Sequence, residues 1–239
     1  MKLKFSINYE IIIIPFLVVV LMWVVFWGEF VSSIDLTRLG ILPRTLSGIF
    51  GILFSPLLHS KTDINHIINN SIPIFLSLVT LFFFYPQIAY KIFILCWLSS
   101  GILTWLIAEN EGSFHIGMSS VIYSLIVFLF VSGIIKKQLK YQAISMLIVL
   151  TYGSLVWGVF PVEEKISWQG HLAGVISGIL MALLYVDKEI EQHKEIQSFI
   201  PKESIETELK NYNIEFKTNQ HISNSNTNIN YEYIKKQID

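Results

Sequence analysis

Cysteine is almost missing from this chain: its 239 residues hold one, Cys96. No intrachain disulfide can form, and the thiol, set inside an apolar stretch, reads as a small buried hydrophobe. Charge is scarce as well. Asp, Glu, Lys and Arg make up 15% of the residues against 53% hydrophobic ones, which excludes an ordinary soluble domain. The formal net charge of -1 points to no acidic or basic partner, so no nucleic acid is expected. Aspartate is absent from the long apolar stretches, so a buried Ser-His-Asp triad has no third member there. No carboxylate or thiolate joins the histidines in a zinc-binding spacing, and neither a metal nor a cofactor is expected. The sequence also lacks an internal repeat. What it does have is apolar length, with 17 Phe among its residues, and that composition is that of an integral membrane protein.

A hydrocarbon core about 30 Å thick takes roughly 20 mostly apolar helical residues. Six stretches qualify, centred on Ile11 to Trp27, His66 to Tyr85, Ile88 to Ile107, Ile116 to Ile135, Ala143 to Phe160 and Trp168 to Val186. The first follows MKLK, yet no small-x-small cleavage site comes after it, and Trp23, Trp27 and Phe30 sit at its far end. It reads as a retained span. With a cytoplasmic N-terminus, the inner segments hold Lys2, Lys4, Lys91, Lys136, Lys137, Lys140, Lys188 and Lys194, and the outer ones Arg38, Arg44, Lys61 and Lys165. Eight inner cations against four outer ones predict both termini inside. Glu109, Glu111, Glu163 and Glu164 then fall outside. The fold expected is therefore an all-α membrane protein, a six-helix bundle with both termini cytoplasmic.

Two regions are not simple spans. Between Gly28 and Asn65 the run "LGILPRTLSGIFGILFSPLLHS" is too broken by Gly40, Pro43, Gly51 and Pro56 to cross a bilayer, and is expected as short amphipathic pieces in the interface. Residues 1–187 form the membrane domain and 188–239 a polar cytoplasmic tail. Counted from Asp187, the last 53 residues hold seven lysines, ten acids and the Asn-rich "NQHISNSNTNIN", with no apolar run long enough for a core. Helix is expected to about Lys210 and disorder beyond it.

Polar groups inside spans are costly, and their default reading is functional. His66 and Asn70 lie four residues apart, on one helix face near the start of the second span. Ser119 and Ser120 open the fourth span, one turn before Tyr123, and His171 lies just inside the sixth. In a six-span chain these three spans run in the same direction, so the clusters share one depth. Gly170, Gly174 and Gly178 form two overlapping GxxxG units, which let helix backbones approach closely. His171 shares their face at i+3 and i+7. Packed on the fourth span, whose start is reduced to Gly117, Ser119, Ser120 and Ser124, that face brings a hydroxyl and an imidazole within reach of each other. A serine hydroxyl becomes a nucleophile when a base takes its proton, and histidine suits that task at neutral pH. Tyr123 can hold the ring by stacking, while His66, Asn70 and the N–H groups at a helix start can face an oxyanion.

"GILPRTLSGIFGILFSPLLHS", "NHIINN", "HIGMSSVIYS", "YGSLVWGVFP" and "SWQGHLAGVISG" together resemble the rhomboid family of intramembrane serine proteases, over about Gly40 to Val186. The resemblance implies that Ser119 in "GMSS" is the nucleophile and His171 in "GHLAG" the general base and later acid. By it, His66 and Asn70 hold the oxyanion with the Ser119 amide, and Tyr123 and Gly117 stabilise the site. The family hydrolyses peptide bonds in or beside the transmembrane segment of single-span membrane proteins, so the expected partners are such substrates and the lipid bilayer. The alternative is a catalytically inactive rhomboid-like protein that binds membrane clients. Ser120 departs from the family's usual Gly after the nucleophile. The bacterial inner membrane is the expected location, and the oligomeric state is left open. His59 and His115 flank the site, His59 reading as an interfacial loop residue and His115 as a solvated one, and His193 and His221 are tail residues. Trp97, Trp105, Trp157 and Trp168 read as interface anchors or packing.

Overall fold

A computed structural model of the chain describes residues 9–32, 34–110, 112–161 and 167–199. The expectations for Lys2, Lys4, Glu111, Glu163, Glu164, Lys165 and residues 200–239 lie outside these. In order the helices are α1 (Glu10–Ser32), α2 (Leu46–Ile49), α3 (Gly51–Phe54), α4 (Ile64–Phe84), α5 (Ala89–Ile107), α6 (Ser119–Lys136), α7 (Leu139–Tyr152) and α8 (Trp168–Phe199), with short 3-10 turns between some of them. Among the described residues there is no strand, only an isolated antiparallel bridge between Ile41 and His115. The chain divides into two compact units, Met1–Lys188 and Glu189–Asp239; the residues discussed below lie in the first.

Among the described residues, five helices are long and apolar enough to cross a membrane: α1, α4, α5, α6 and the Trp168–Val186 part of α8. The protein is thus a multi-pass, all-helical membrane protein. The fifth expected stretch, Ala143 to Phe160, takes a different form, because α7 stops at Tyr152 after 14 residues and a 3-10 segment, Gly153–Val159, follows. Gly153 marks the change. A residue without Cβ is poorly held in α-helix.

α6 is the central helix, with 67% of its length buried against 17% for α1. It touches α4, α5 and α7, and α8 closes over it. An all-round apolar sequence suits a helix surrounded by neighbours, whereas α1 turns most of its apolar surface outward. α1 is tied to α4 by the Trp23 indole, which donates to Ser71 Oγ at 3.0 Å. At its end the buried Glu29 accepts from the Leu36 amide at 2.9 Å and pairs with Lys61 at 3.7 Å, which fixes the chain as it leaves the helix.

The segment from Gly40 to Leu58 is docked on α5. Arg44, at a left-handed φ of 54°, donates its guanidinium to the carbonyls of Leu106 and Ala108, satisfying groups that the end of α5 leaves open. The Trp105 and Trp97 indoles donate to the carbonyls of Thr45 and Leu53 at 3.0 and 3.2 Å, so both tryptophans act in packing. Gly48 and Gly51 press on the backbone at Leu42 and Gly40, where a Cβ has no room. Leu46 and Phe50 project outward, as an interfacial segment requires.

At the end of α6 opposite Ser119, the Lys136 ammonium sits 4.3 Å from the Tyr85 ring and 4.1 Å from the Tyr141 ring. Tyr85 in turn bonds Ser132 Oγ at 2.8 Å. Cation–π contacts of this kind hold a cation whose hydration is reduced by burial.

α8 meets α6 through its glycines. A Cβ on Gly174 would strike the Ser120 carbonyl, and one on Gly178 the Ser124 carbonyl. Beside them, Ser177 Oγ lies 2.8 Å from Ser124 Oγ and 2.5 Å from Ser99 Oγ, joining α5, α6 and α8. Because Ser99 gives its one proton to the Leu95 carbonyl, Ser177 must donate to Ser99 and Ser124 to Ser177. Gly178→Ala is expected to cost about 1–3 kcal/mol, since the added methyl drives two backbones apart. Gly28→Ala in α1, where nothing lies within 4 Å of a new Cβ, is expected to be neutral or mildly stabilising. Unfolding of both variants in micelles by graded SDS checks the contrast.

Candidate active site

Ser119 is the first residue of α6, and Met118 before it offers no side-chain cap. The amides of the first turn are therefore free of in-helix partners, and they form the positive end of the helix. The backbone reaches this position through Gly117, whose φ of 109° is closed to most side chains. Its amide donates to the Ser55 carbonyl at 2.8 Å, so the turn is held from the α3–α4 connection.

His171 sits one turn into α8. Its ring stacks on that of Tyr123, with centroids 4.3 Å apart and planes 13° from parallel. Its Nδ1 lies 2.8 Å from the Gly158 carbonyl. A carbonyl only accepts, so Nδ1 carries the proton, and the Nε2 lone pair is left to act as a base. The ring is thus oriented by a backbone oxygen from the 3-10 segment that interrupts the fifth expected stretch. Gly158 has no alternative, because a Cβ there would meet the Tyr123 hydroxyl and lie 3.0 Å from His171 Nδ1. No letter in the sequence marks a carbonyl as a partner; the signal was the small residue in "VWGVF".

His66 approaches from α4. A Cβ on Gly117 would stand 2.7 Å from His66 Nε2, which puts the imidazole directly against the turn before Ser119. Asn70, one helical turn further, is buried and donates Nδ2 to the His66 carbonyl at 2.7 Å. So His66 with Gly117, and Tyr123 with His171, are brought together on either side of the start of α6.

Two other histidines flank this region as expected, but His59 is buried where an interfacial residue was expected, and His115 is bonded to Ser167 where a solvated one was. His59 is 2% exposed and packs edge-on to His66 with ring centroids 5.0 Å apart. Burial, and then the neighbouring His66, push its pKa down to about 3. His115 is held by paired backbone bonds with Ile41, of 2.8 and 3.0 Å, and its Nδ1 lies 2.6 Å from Ser167 Oγ. Burial lowers its pKa too, against a smaller opposing effect of a backbone bond with Glu109. Both errors have one cause. The bridge to Ile41 joins residues far apart in the chain, while His59 packs on the nearby His66, and local polarity reports neither contact.

Beside Ser119 lies a cavity with about 20 Å³ open to the centre of a water molecule, bordered by Ser119, Ser120, His115, Ser167 and Thr104 among others. That is room for one or two small polar groups. Among the described residues no three His, Cys, Asp or Glu side chains come together as metal ligands.

Apolar helices gathered around a hydroxyl at one helix start and a stacked imidazole at another define a membrane protein with a polar site enclosed by its bundle. The Rhomboid domain matches residues 46–188, and the chain belongs to the rhomboid family. It is 32% identical over 171 residues to the uncharacterized protein Rv1337 of Mycobacterium tuberculosis, a match covering 65% of this chain and 68% of the relative. The same figures hold for the uncharacterized protein Mb1372 of Mycobacterium bovis. For the uncharacterized protein ML1171 of Mycobacterium leprae the identity is 35% over 147 residues, 57% of this chain and 56% of the relative.

The two displaced histidine pKa values set a pH dependence. In the unfolded chain these rings protonate near pH 6.5; in the fold His59 stays neutral down to about pH 3, and burial lowers the pKa of His115 as well. Stability is complete well above pH 6.5 and falls as acid charges the unfolded state first, at about 1.4 kcal/mol per pH unit for His59, with a contribution of the same sign from His115. Between pH 6.5 and 5 the loss from His59 is about 2 kcal/mol. His59→Phe is expected to flatten the acid limb of unfolding midpoints measured from pH 7.5 to 5; an unchanged limb would contradict a neutral His59.

Proposed function

We propose that the protein is an intramembrane serine protease that cuts single-span membrane proteins in or beside their transmembrane segment. The observation that carries the proposal is the stacked Tyr123–His171 pair with Nδ1 tied to the Gly158 carbonyl. It is the geometry of a ring kept as a base beside the serine-bearing helix start. Ser119 Oγ attacks the scissile carbonyl while His171 Nε2 takes its proton, then returns it to the leaving amine. The acyl-enzyme is released by a water molecule that His171 deprotonates. The oxyanion faces the free amides at the start of α6, with His66 and Asn70 beside them as side-chain donors.

α7 and the 3-10 segment after it measure about 21 and 14 Å along their axes, enough together to cross a core about 30 Å thick. With the five long helices they make six crossings, both termini on the cytoplasmic side, in a bacterial inner membrane. Support for the orientation comes from the eight-to-four distribution of basic residues.

Ser119→Ala is expected to abolish both cleavage of a reporter membrane substrate and labelling by a fluorophosphonate, with expression intact. His171→Ala should do the same, and Asn70→Ala should lower turnover by roughly 3 kcal/mol of transition-state stabilisation. A wild-type protein that binds clients but neither cuts nor labels would replace this reading with that of an inactive client-binding rhomboid.

A further inference from the structure

The turn from α6 into α7 gathers cations without acids. Lys136, Lys137 and Lys140 fall within five residues, and the sequence holds no Asp or Glu from 64 to 108 or from 112 to 162. Lys136 and Lys140 share an aromatic partner, their ammoniums standing 4.1 and 4.7 Å from the Tyr141 ring centroid. They are therefore within about 9 Å of each other, inside the roughly 10 Å over which charges act at 0.1 M salt. Lys137 and Lys140 are exposed, and among the described residues neither has an ion pair.

Local helix physics does not account for this cluster. The carbonyl end of α6 favours lysine, but Lys140 lies in the first turn of α7, the positive end, where a cation is disfavoured. Lys137 closes α6 at a φ of 52°, in the left-handed region where glycine is the usual occupant. Both placements carry a cost that an anion meeting the two ammoniums offsets. Beside the cations the surface is apolar. Leu139, Ala143, Met146, Leu147 and Leu150 are exposed and recur at helical spacing, forming one stripe of α7 with Lys140 at its head. From Leu139 to Leu150 the stripe runs about 16 Å, half of a core about 30 Å thick and so the depth of one leaflet. A cationic head above an apolar strip of that depth matches an amphiphile and not a free anion.

We propose that this turn binds one anionic phospholipid, with Lys137 and Lys140 meeting its phosphodiester and the stripe of α7 lying under its acyl chains. The site stands at the end of α6 opposite Ser119 and takes no part in proteolysis. Its effect is to tie the start of α7 to the end of α6 through a lipid that both lysines hold.

The test is native mass spectrometry of the full-length protein released from neutral-detergent micelles and titrated with phosphatidylglycerol or with phosphatidylcholine of the same acyl chains. Wild type is expected to retain one phosphatidylglycerol about tenfold more tightly than phosphatidylcholine. Lys137→Gln and Lys140→Gln should each weaken phosphatidylglycerol about fivefold and leave phosphatidylcholine unchanged. Lys91→Gln removes the same charge near the start of α5, where the ammonium stands 4.5 Å from the Tyr185 ring, and should leave both lipids unchanged. Thermal midpoints in neutral detergent, not lowered in any of the three, show that each variant is folded. Equal retention of the two lipids by wild type overturns the proposal. So does phosphatidylglycerol binding that survives the loss of Lys137 and Lys140. An equal loss with Lys91→Gln replaces the site with diffuse attraction to the basic end of the bundle. Displacement of phosphatidylglycerol by inorganic phosphate, compared with acetate at equal ionic strength, overturns the lipid as occupant in favour of a free anion.

Discussion

The close approach of α8 to α6 is the contact on which the rest of the site depends. Within a bilayer no hydrophobic force distinguishes a helix neighbour from a lipid chain, so association rests on van der Waals fit and on polar groups that find each other. Gly174 and Gly178 supply the fit, lying on the Ser120 and Ser124 carbonyls without room for a methyl. The ordered serine chain from Ser124 through Ser177 to Ser99 supplies the polar bonds at the same level. His171 is three residues from Gly174, and Ser119 one from Ser120. A shift of one backbone against the other therefore displaces the imidazole relative to the hydroxyl.

The site is polar but built from uncharged partners. His171 is oriented by a carbonyl and a tyrosine face, and Ser119 by a glycine turn whose amide is anchored on Ser55. Burial disfavours the charged forms of His59 and His115. A carboxylate in such surroundings would bring a desolvation cost that a carbonyl avoids. The absence of aspartate noted in the sequence and the Nδ1–Gly158 bond are therefore two sides of one solution.

Much of this architecture is legible in the sequence where the signal is local. Continuous apolar length marks α1, α4, α5, α6 and the start of α8 to within a few residues, and the spacing of Gly170, Gly174 and Gly178 marks the packing face. Tyr123 and His171, each one turn into its helix, suggest a stack on spacing alone. Features that depend on backbone atoms or distant strands of chain escape this reading. The Gly158 carbonyl, the bridge between Ile41 and His115, and the Arg44 guanidinium closing the end of α5 have no local pattern. The break at Gly153 is hidden for another reason: hydropathy is blind to whether an apolar run is wound as α-helix or 3-10.

The lysine held between two tyrosine faces at the far end of α6 has a consequence for the opposite end. Raising the helix would drag an ammonium away from Tyr85 and Tyr141 and into hydrocarbon, at a cost of several kcal/mol. Since α6 is one stiff rod, about 26 Å separates that cation from Ser119. Lys136 thereby acts as a keel, setting the immersion of Ser119 from the far end of the helix.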